Sequence, residues 1–557
     1  MKRTVAAAIL VTIACNADPV APELAACHLY VQPISLAVAA DTAVDPGPNG
    51  GCVIFSANTS TTDSAEYLLV PQSAATTADV HSSFKLAGGA PILPGMRIAA
   101  QRVMAPESPA QAFHDRLRLM EQSGAYPAPA GPPAPAGSSG PSVQSTGPGD
   151  TVGNPRTFKV LANLTNPTLF TSVNATARSV GQHIILYVDN AAPANGLSTA
   201  DFDKLRSDFD TLLYAVDTAA FGRESDLDGN GRVIVLMTNV VNRLVTEAQC
   251  NSTGYVAGFF FPADIAPSSR AQWNNGEVFY TVVADPNATL SCAHSVGQVN
   301  RVVPVTFIHE FQHMISFNQH TLIRGGGAEV LWMNEGLSHY AEELGGRAFL
   351  QAGDSTRYCE HVRGDVFNFG EYLKNPGAVG LVGAAGIGGL AERGAYWAFV
   401  RYLVDQYAAD TSLSAAATFT RQLVQTTATG VNNVTQRTGT PFVTVARRWV
   451  LANWVSDLPG YTPPATMRYK TWAFRSAFPA LNGWCTAAIP ATFPLAAPGG
   501  PGGAINVTGT MYAGSAGTYQ RALQEPGGGQ FTLLFSDGAG ALLETVVVPR
   551  LNVFRIR

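Results

Sequence analysis

The sequence has few charged residues, and neither sign of charge is in large excess. Only 13% of the 557 residues are charged, 46% are hydrophobic, and the formal net charge is −5. Because lysine and arginine are not in excess, the chain has little with which to neutralise phosphates, which argues against nucleic acid as a partner. The same composition excludes a wholly disordered chain, since enough apolar residues are present to bury sizeable cores.

Cys-x-x-Cys pairs are absent, which argues against a zinc site built from cysteines and against a thioredoxin-like redox site. The chain contains seven cysteines, of which Cys15 belongs to the N-terminal segment described next. The other cysteines allow many pairings, of which closeness along the chain favours Cys27–Cys52 and Cys250–Cys292 and leaves Cys359–Cys485.

The N-terminus has the pattern of an export signal. Its first three residues, MKR, are basic at two positions, and the apolar run over residues 5–14 is too short to span a bilayer. The motif TIAC, which ends at Cys15, resembles a bacterial lipobox, in which cleavage precedes a cysteine that then carries lipid. The resemblance implies a signal peptide over 1–14 and a membrane anchor at Cys15. Ordinary signal-peptide cleavage nearby is the alternative, so we expect either a cell-surface or outer-membrane lipoprotein or a secreted protein.

Two segments precede the largest block of the chain. Residues 15–105 contain short β-like runs, such as 52–56 and 66–70, separated by turn residues, and they predict an N-terminal β domain. Residues 106–152 begin with a helix whose Ser108-Pro109 start is typical of an N-cap followed by proline. The rest of that segment is rich in proline, alanine, glycine and serine, which predicts a linker.

The block over residues 153–462 places strands before helices. The apolar run 184–188 predicts a buried strand, and the periodicity over 304–350 and 391–408 is helical, which together indicate an α+β domain. Beyond about residue 465 the helical periodicity disappears. Three apolar runs separated by glycine-rich turns then predict a second β domain over 463–557, at 505–512, 531–535 and 542–548.

The segment with the clearest chemistry is the motif HEFQH, which contains His309, Glu310 and His313. On a helix, positions i and i+4 lie on one face, so the two imidazoles can reach one metal ion. Glu310 lies beside that ion, where it can take a proton from the attacking water and return it to the leaving amine. Two unrelated histidines on a helix are the alternative interpretation.

A catalytic zinc site needs a third protein ligand. A metzincin would place a histidine at position 319, which is glutamine here, and His320 is one residue away from that place. The following segment offers several carboxylates instead, namely Glu329, Glu335, Glu342 and Glu343.

The second motif, WMNEGLSHYAEEL, contains Glu335 in an Asn-Glu-Gly sequence on a predicted helix. Its helix–loop–helix setting resembles gluzincin metallopeptidases. The combination with HEFQH is similar to the hyicolysin-type neutral metallopeptidases, closely over residues 305–343 and loosely over 153–462. This resemblance implies a zincin-like metallopeptidase domain flanked by β-sandwich-like domains, zinc as the cofactor, and Glu335 as the third ligand.

Two further roles are expected less directly. Some gluzincins carry an aspartate at the position of His339, so Glu342 or Asp365 is a candidate to orient a metal ligand here, with surface charges as the alternative. Tyr396 resembles, in its placement at the head of a helix, a tyrosine that stabilises the transition state in related gluzincins. A tyrosine that only packs against its neighbours would explain the same residue.

A possible calcium loop precedes the strand predicted at 232–238. Asp226, Asp228 and Asn230 occupy positions 1, 3 and 5 of an EF-hand-like pattern with Gly231 at position 6. The glutamate expected at position 12 is missing, so a tight turn without calcium is the alternative.

These features together predict an exported zinc endopeptidase, anchored by lipid, that acts as a monomer on a protein or peptide substrate. We expect the substrate to lie extended along an edge strand of the sheet. The alternative from another class is a surface adhesin or binding lipoprotein whose peptidase-like domain is only a scaffold. Within the enzyme class, hydrolysis of cell-wall peptides is a further possibility.

Overall fold

The computed structural model describes residues 31–88, 108–129, 150–383, 389–485 and 489–557. The strands are β1 Asp41–Val44, β2 Cys52–Phe55, β3 Ala65–Ser73, β4 His81–Gly88, β5 Pro155–Leu161, β6 Phe170–Val180, β7 Ile184–Asp189, β8 Val233–Met237, β9 Gly258–Phe260, β10 Val278–Thr281, β11 Gly499–Pro501, β12 Asn506–Tyr512, β13 Gln520–Gln524, β14 Phe531–Ser536 and β15 Pro549–Arg555.

The helices are α1 Pro109–Ser123, α2 Thr199–Asp208, α3 Tyr214–Phe221, α4 Asn239–Asn242, α5 Glu247–Thr253, α6 Val296–Phe317, α7 Leu331–Gln351, α8 Ser355–Lys374, α9 Leu390–Tyr407, α10 Leu413–Val424, α11 Gly430–Thr438, α12 Phe442–Val455 and α13 Phe474–Trp484. Two π-helical turns, Phe209–Leu213 and Asn318–Ile323, follow α2 and α6 directly.

A six-stranded mixed sheet forms the first half of the central region, in the order β5-β6-β7-β8-β10-β9. Strands β7, β8 and β10 are parallel, and β7 and β8 are buried along their whole length. Such continuous apolar runs are expected when helices cover both faces of a sheet. The short strand β9 pairs antiparallel with β10 and forms one edge of the sheet. The sheet thus precedes the run of helices that begins at α6, although α2 to α5 lie between its strands, and the region is a mixture of helices and sheet.

A two-sheet sandwich is built from both ends of the described chain. One sheet has the order β1-β15-β3-β13-β11, and the other has the order β12-β4-β14-β2. Strand β3 alternates between two cores: Leu69 faces the core between the two sheets, whereas Leu68 and Val70 join the core of the helical region. This period of two explains why every residue of β3 is buried.

The structure differs here from the two separate β domains that we predicted over 15–105 and 463–557. Strands β13 and β15 from the second segment pair with β3 from the first, and β12 and β14 pair with β4. The strand pattern indicates that a run is extended but does not say which other run it pairs with. Neither segment could satisfy its strand edges alone, so the two form one unit.

Two details of the C-terminal segment also differ from the prediction. Helix α13 lies beyond residue 465, where we expected no helix, and its buried residues Phe474, Phe478 and Leu481 follow a helical spacing. The last strand, β15, begins at Pro549, immediately after the run that we predicted as a strand. The first difference was visible in the sequence, because the spacing i, i+4, i+7 is a helical signal.

Two disulfides confirm two of the predicted pairings. Cys250–Cys292 joins α5 to the segment before α6, and Cys359–Cys485 joins α8 to the end of α13. Cys15, Cys27 and the predicted signal segment lie outside the described residues, so the anchor and the third pairing stay predictions. Among the described helices, none is both long and apolar enough to cross a membrane.

Candidate metal centre

Helix α6 carries both histidines of the HEFQH motif on one face. The Nε2 atoms of His309 and His313 are 3.2 Å apart, as the i, i+4 spacing predicts for two rings that point the same way. His313 is fully buried, whereas His309 reaches the wall of a cleft. Burial lowers the pKa of His313 well below its usual value, so its ring is neutral, as a metal ligand must be.

Helix α7 brings Glu335 to the two histidines. Glu335 Oε2 lies 3.7 Å from His309 Nε2, and Oε1 lies 3.6 Å from His313 Nε2. Donor atoms about 2.0–2.1 Å from a tetrahedral zinc ion are about 3.3 Å from each other, which is close to these separations. Among the described residues, the buried Oε1 atom has no hydrogen-bond partner, as expected for an oxygen placed to bind a metal. The three side chains therefore fit a zinc ion.

The charge state of Glu335 suits the same role. Burial by itself would raise the pKa of this carboxyl, but the Arg393 guanidinium, His313 and His309 together hold it well below its usual range. Arg393 Nη1 lies 3.2 Å from Glu335 Oε2, and Arg393 Nη2 lies 2.9 Å from Asp115 Oδ1. Sequence reasoning missed this arginine, although it stands one helical turn before Tyr396, which we considered as a candidate.

Two of the other carboxylates considered as third ligand, Glu329 and Glu343, face elsewhere. Glu329 Oε1 accepts a hydrogen bond from the backbone N–H of Gly430 at 2.7 Å. Glu343 Oε1 lies 2.6 Å from Arg401 Nη1 in a fully buried ion pair. Both carboxylates are satisfied away from the histidine pair, and Glu335 is the acid that lies beside the Nε2 atoms of both histidines.

The Nδ1 atom of each histidine, on the far side of the ring from Glu335, forms a hydrogen bond with a neighbouring side chain. His309 Nδ1 is 2.8 Å from Glu342 Oε1, and His313 Nδ1 is 3.0 Å from Asn334 Oδ1. When each Nδ1 donates its hydrogen to these oxygens, each Nε2 keeps a lone pair that faces Glu335. Partners of this kind fix the orientation and tautomer of metal-ligating histidines.

A second layer of charges lies behind His309. His339 Nδ1 is 3.0 Å from Glu342 Oε1 and 2.9 Å from Asp365 Oδ1. Burial alone would lower the pKa of His339, but these two carboxylates raise it to about 10. Glu342, one of the two acids proposed to orient a ligand, therefore contacts His309 directly, whereas Asp365 contacts His339. Both acids are buried, unlike the surface charges that were the alternative.

Glu310 lies beside the three clustered side chains. Its Oε2 atom accepts a hydrogen bond of 2.9 Å from the backbone N–H of Phe260 on the edge strand β9. Its Oε1 atom lies 3.5 Å from His114 Nδ1. Burial raises the pKa of Glu310 above its usual value. One carboxylate oxygen is thus fixed by the sheet, and the other faces the cleft side of α1.

The cleft has a volume of about 970 Å³, and its wall is formed by both strands and helices. Strand β9 contributes Gly258, α6 contributes His309 and Glu310, α7 contributes Glu335, and α1 contributes His114. The contribution of α1 was not expected, because we predicted its segment only as a helix followed by a linker.

Tyr396 does not reach this cleft. It lies on α9 and is fully buried, and the described cleft wall does not include it. Its hydroxyl instead lies close to Gly383, where an added Cβ would be only 2.8 Å from the hydroxyl oxygen. Tyr396 thus lies outside the described cleft wall, and its role as a hydrogen-bond donor in the site stays a prediction.

The predicted calcium loop forms a turn that satisfies much of its own polarity. Asp226 Oδ1 accepts from the Gly231 N–H at 3.0 Å, and Asp228 Oδ1 accepts from the Asn230 N–H at 3.2 Å. Glu277, at the start of β10, brings a third carboxylate to Asp226 and Asp228, in place of the missing position-12 glutamate.

A cation already contacts this loop, since Arg156 Nη1 lies 3.4 Å from Asp228 Oδ2. The arginine supplies part of the positive charge that a calcium ion would otherwise bring. Calcium binding therefore stays a prediction.

Comparison with known proteins gives a partial match. The chain is 26% identical over 153 residues to the neutral metalloprotease ShpI of Staphylococcus hyicus. The match covers 27% of this chain and 32% of ShpI, so the chain spans about a third of that relative's length. No protein-family model matches the chain. Over part of its length, the chain is thus similar to a neutral metalloprotease.

Proposed function

We propose that this protein is an exported zinc-dependent endopeptidase. The observation that carries the proposal is the convergence of His309, His313 and Glu335 on one point. The Nδ1 atom of each histidine is already hydrogen-bonded to a neighbouring side chain. The partial similarity to the staphylococcal neutral metalloprotease supports the same reaction class.

In this proposal His309, His313 and Glu335 hold the zinc ion. Zinc bound there supplies a Lewis acid that polarises the scissile carbonyl and lowers the pKa of water. Glu310 is the general base: its Oε1 takes the proton of the attacking water while the Phe260 N–H holds Oε2. Glu310 then gives that proton to the amine nitrogen as the carbon–nitrogen bond breaks. Its raised pKa favours holding the proton between these two steps.

The substrate in this proposal is a protein or peptide chain that lies extended along β9. This strand forms an edge of the sheet, and its first residue, Gly258, lines the cleft. Phe260 already bonds Glu310 through its N–H and Arg118 through its oxygen, so in this proposal the substrate pairs with the start of the strand. An extended backbone can pair with such an edge without much side-chain recognition, which suits cleavage within a chain. We propose that the protein acts as a monomer.

Export is proposed on two grounds. The N-terminal signal pattern ends at Cys15, where we propose lipid attachment, and two disulfides occur within the described residues. Disulfides persist in oxidising compartments outside the cytosol. Mass spectrometry of the membrane fraction would detect a lipid on Cys15, whereas a protein cleaved elsewhere and found only in the medium would contradict the anchor.

The test of the activity compares casein hydrolysis by the wild type and by Glu310→Gln at matched zinc content. We expect the wild type to cleave and the variant to lose at least about 10²-fold in rate, since it lacks the proton acceptor. Equal cleavage by both would contradict the role of Glu310. A zinc-loaded wild type that cleaves neither casein nor peptidoglycan peptides would favour the adhesin alternative, and cleavage of peptidoglycan alone would assign a cell-wall substrate.

A further inference from the structure

Helix α1 precedes the predicted linker, which lies outside the described residues, yet its inner face is joined to two of the proposed metal ligands. Asp115 contacts Arg393, which in turn contacts Glu335. Glu121 Oε2 accepts a hydrogen bond of 3.0 Å from Asn334, the residue that also contacts His313. The position of α1 relative to the site is therefore set by buried polar contacts.

The same helix is fixed on the edge strand. Arg118 Nη2 donates a hydrogen bond of 3.3 Å to the backbone oxygen of Phe260 and lies 3.1 Å from Glu121 Oε1. The rings of Phe113 and Phe259 meet edge to face, with centroids 5.1 Å apart. Because Arg118 and Phe113 are buried, α1 is packed as a part of the domain and not as a loose cover.

This anchoring places His114 beside the oxygen that is free to react. Glu310 Oε2 is occupied by the Phe260 N–H, and His114 Nδ1 is 3.5 Å from the other oxygen, Oε1. The side chain of His114 is 22% exposed and lines the cleft, so it can touch a substrate. A group that Glu310 Oε1 activates would therefore lie against the His114 ring.

Other hydrogen-bond donors also line the cleft, among them Tyr255, Asn368 and Lys374, and what distinguishes His114 is its contact with Glu310 Oε1. Tyr396 lies outside the described cleft wall, and Arg393 directs its two terminal nitrogens to Glu335 and Asp115. Burial, together with Arg393, lowers the pKa of His114 to about 3. A neutral imidazole has one N–H donor and one acceptor nitrogen.

We propose that His114 is a further catalytic residue, whose Nε2–H donates a hydrogen bond to the substrate oxygen that gains negative charge during peptide cleavage, while its Nδ1 faces Glu310 Oε1. No proton is transferred by His114 in this role, since the proton passes through Glu310. The inference rests on the proposed peptidase function and assigns one donor for its transition state. It makes α1, which precedes the predicted linker, a part of the proposed active site.

The experiment compares His114→Ala, His114→Phe and His114→Gln with the wild type, using the full chain loaded with zinc. The phenylalanine variant fills the space without a donor, and the glutamine variant restores an N–H. The control is Leu119→Ala, on the exposed side of the same helix. The measurements are kcat and KM for a peptide substrate, bound zinc, Tm, and the Kd of a phosphonamidate peptide that mimics the transition state.

We expect His114→Ala and His114→Phe to lose about 10²–10³-fold in kcat, the usual effect of removing one oxyanion donor. Phosphonamidate affinity should fall with kcat/KM, whereas KM, bound zinc and Tm should stay close to wild type. His114→Gln should recover part of the loss, and Leu119→Ala should match the wild type.

Two results would overturn the inference alone: kcat within about threefold of wild type in the alanine and phenylalanine variants, or a loss of rate that only follows lost zinc or lowered Tm. A zinc-loaded wild type that neither cleaves peptides nor binds the phosphonamidate would overturn the proposed function as well.

Discussion

At the scale of single residues, the proposed metal ligands are held in place by contacts on the side that faces away from the proposed metal position. Glu342 and Asn334 each form a hydrogen bond with the Nδ1 atom of one histidine, and Arg393 pairs with the charge of Glu335. Pairs of this kind hold the ligand atoms together before any ion binds, which reduces the cost of ordering them. They also determine which ring nitrogen carries the hydrogen.

The contact between Glu342 and His309 leads to a prediction about metal affinity. Replacing Glu342 by alanine should weaken zinc binding about 10–100-fold, because His309 loses the acceptor that orients it. Competition with a chelator of known affinity measures the change. Glu525→Ala, at an exposed position in the sandwich, is the control and should bind zinc like the wild type. Unchanged affinity in Glu342→Ala would show that the contact has no role in binding.

Glu329 leads to a prediction about pH and stability. Burial raises its pKa to about 7, from a usual value near 4.5, so the folded state binds a proton that the unfolded state releases between these pH values. The stabilisation from this group is present below pH 4.5 and is lost as the pH rises to about 7. Relative to Glu329→Gln, the wild type should lose up to ~3 kcal/mol across this range.

Urea unfolding of both proteins at a series of pH values measures this difference. Only the pH dependence of the difference is diagnostic, since the substitution also changes hydrogen bonds to Gly430 and Asn433. A constant difference between the two proteins from pH 4 to pH 8 would mean that Glu329 titrates normally.

At the scale of elements, two consecutive helices, α6 and α7, supply all three proposed ligands, and neighbouring elements decide how they face each other. Strand β9 holds Glu310, and α1 closes one wall of the cleft. Helix α13 contributes to the packing behind α8, where Phe478 lies against Gly370 and near Phe369. Helix α8 is thus supported by a helix more than 100 residues further along the chain.

Phe478 provides a test of that support. It is fully buried on α13, so Phe478→Ala should cost about 3–5 kcal/mol through lost burial and the cavity that remains. Trp484→Ala, on the same helix with its ring 47% exposed, should cost less. Denaturant unfolding of the two variants gives both values. Equal effects would show that α13 does not pack as the structure indicates.

At the scale of the whole molecule, the sandwich links the N-terminal and C-terminal segments. Strand β15 pairs with both β1 and β3 and supplies Phe554 to the helical core. Because β3 faces both the sandwich core and the helical core, the last strand stabilises the region that carries the site. The described termini therefore belong to one folded unit with the central domain.

Removal of residues 549–557 tests this linkage. The truncated chain would leave β3 with an unpaired edge and expose apolar residues of both cores, so we expect a lower Tm and aggregation. Differential scanning calorimetry and size-exclusion chromatography measure the two effects. A truncated protein that melts like the full chain and stays soluble would contradict a shared sandwich.

The sequence by itself determined the local features of the molecule. The HEFQH spacing placed His309 and His313 on one helical face, and the Ser108-Pro109 cap predicted the start of α1. The apolar run near residue 184 predicted a buried strand, now seen as β7. These features depend on the 3.6-residue and 2-residue periods of the backbone, which are visible in any single segment.

Only the tertiary structure decided which distant segments meet. It joined the terminal strands into one sandwich, turned Tyr396 away from the cleft, and brought His114 and Arg393 to Glu310 and Glu335. No local period encodes such contacts, because they depend on the packing of whole elements against a shared core. The sequence thus offered candidate metal ligands, and the packing decided which of these candidates meet and which other residues surround them.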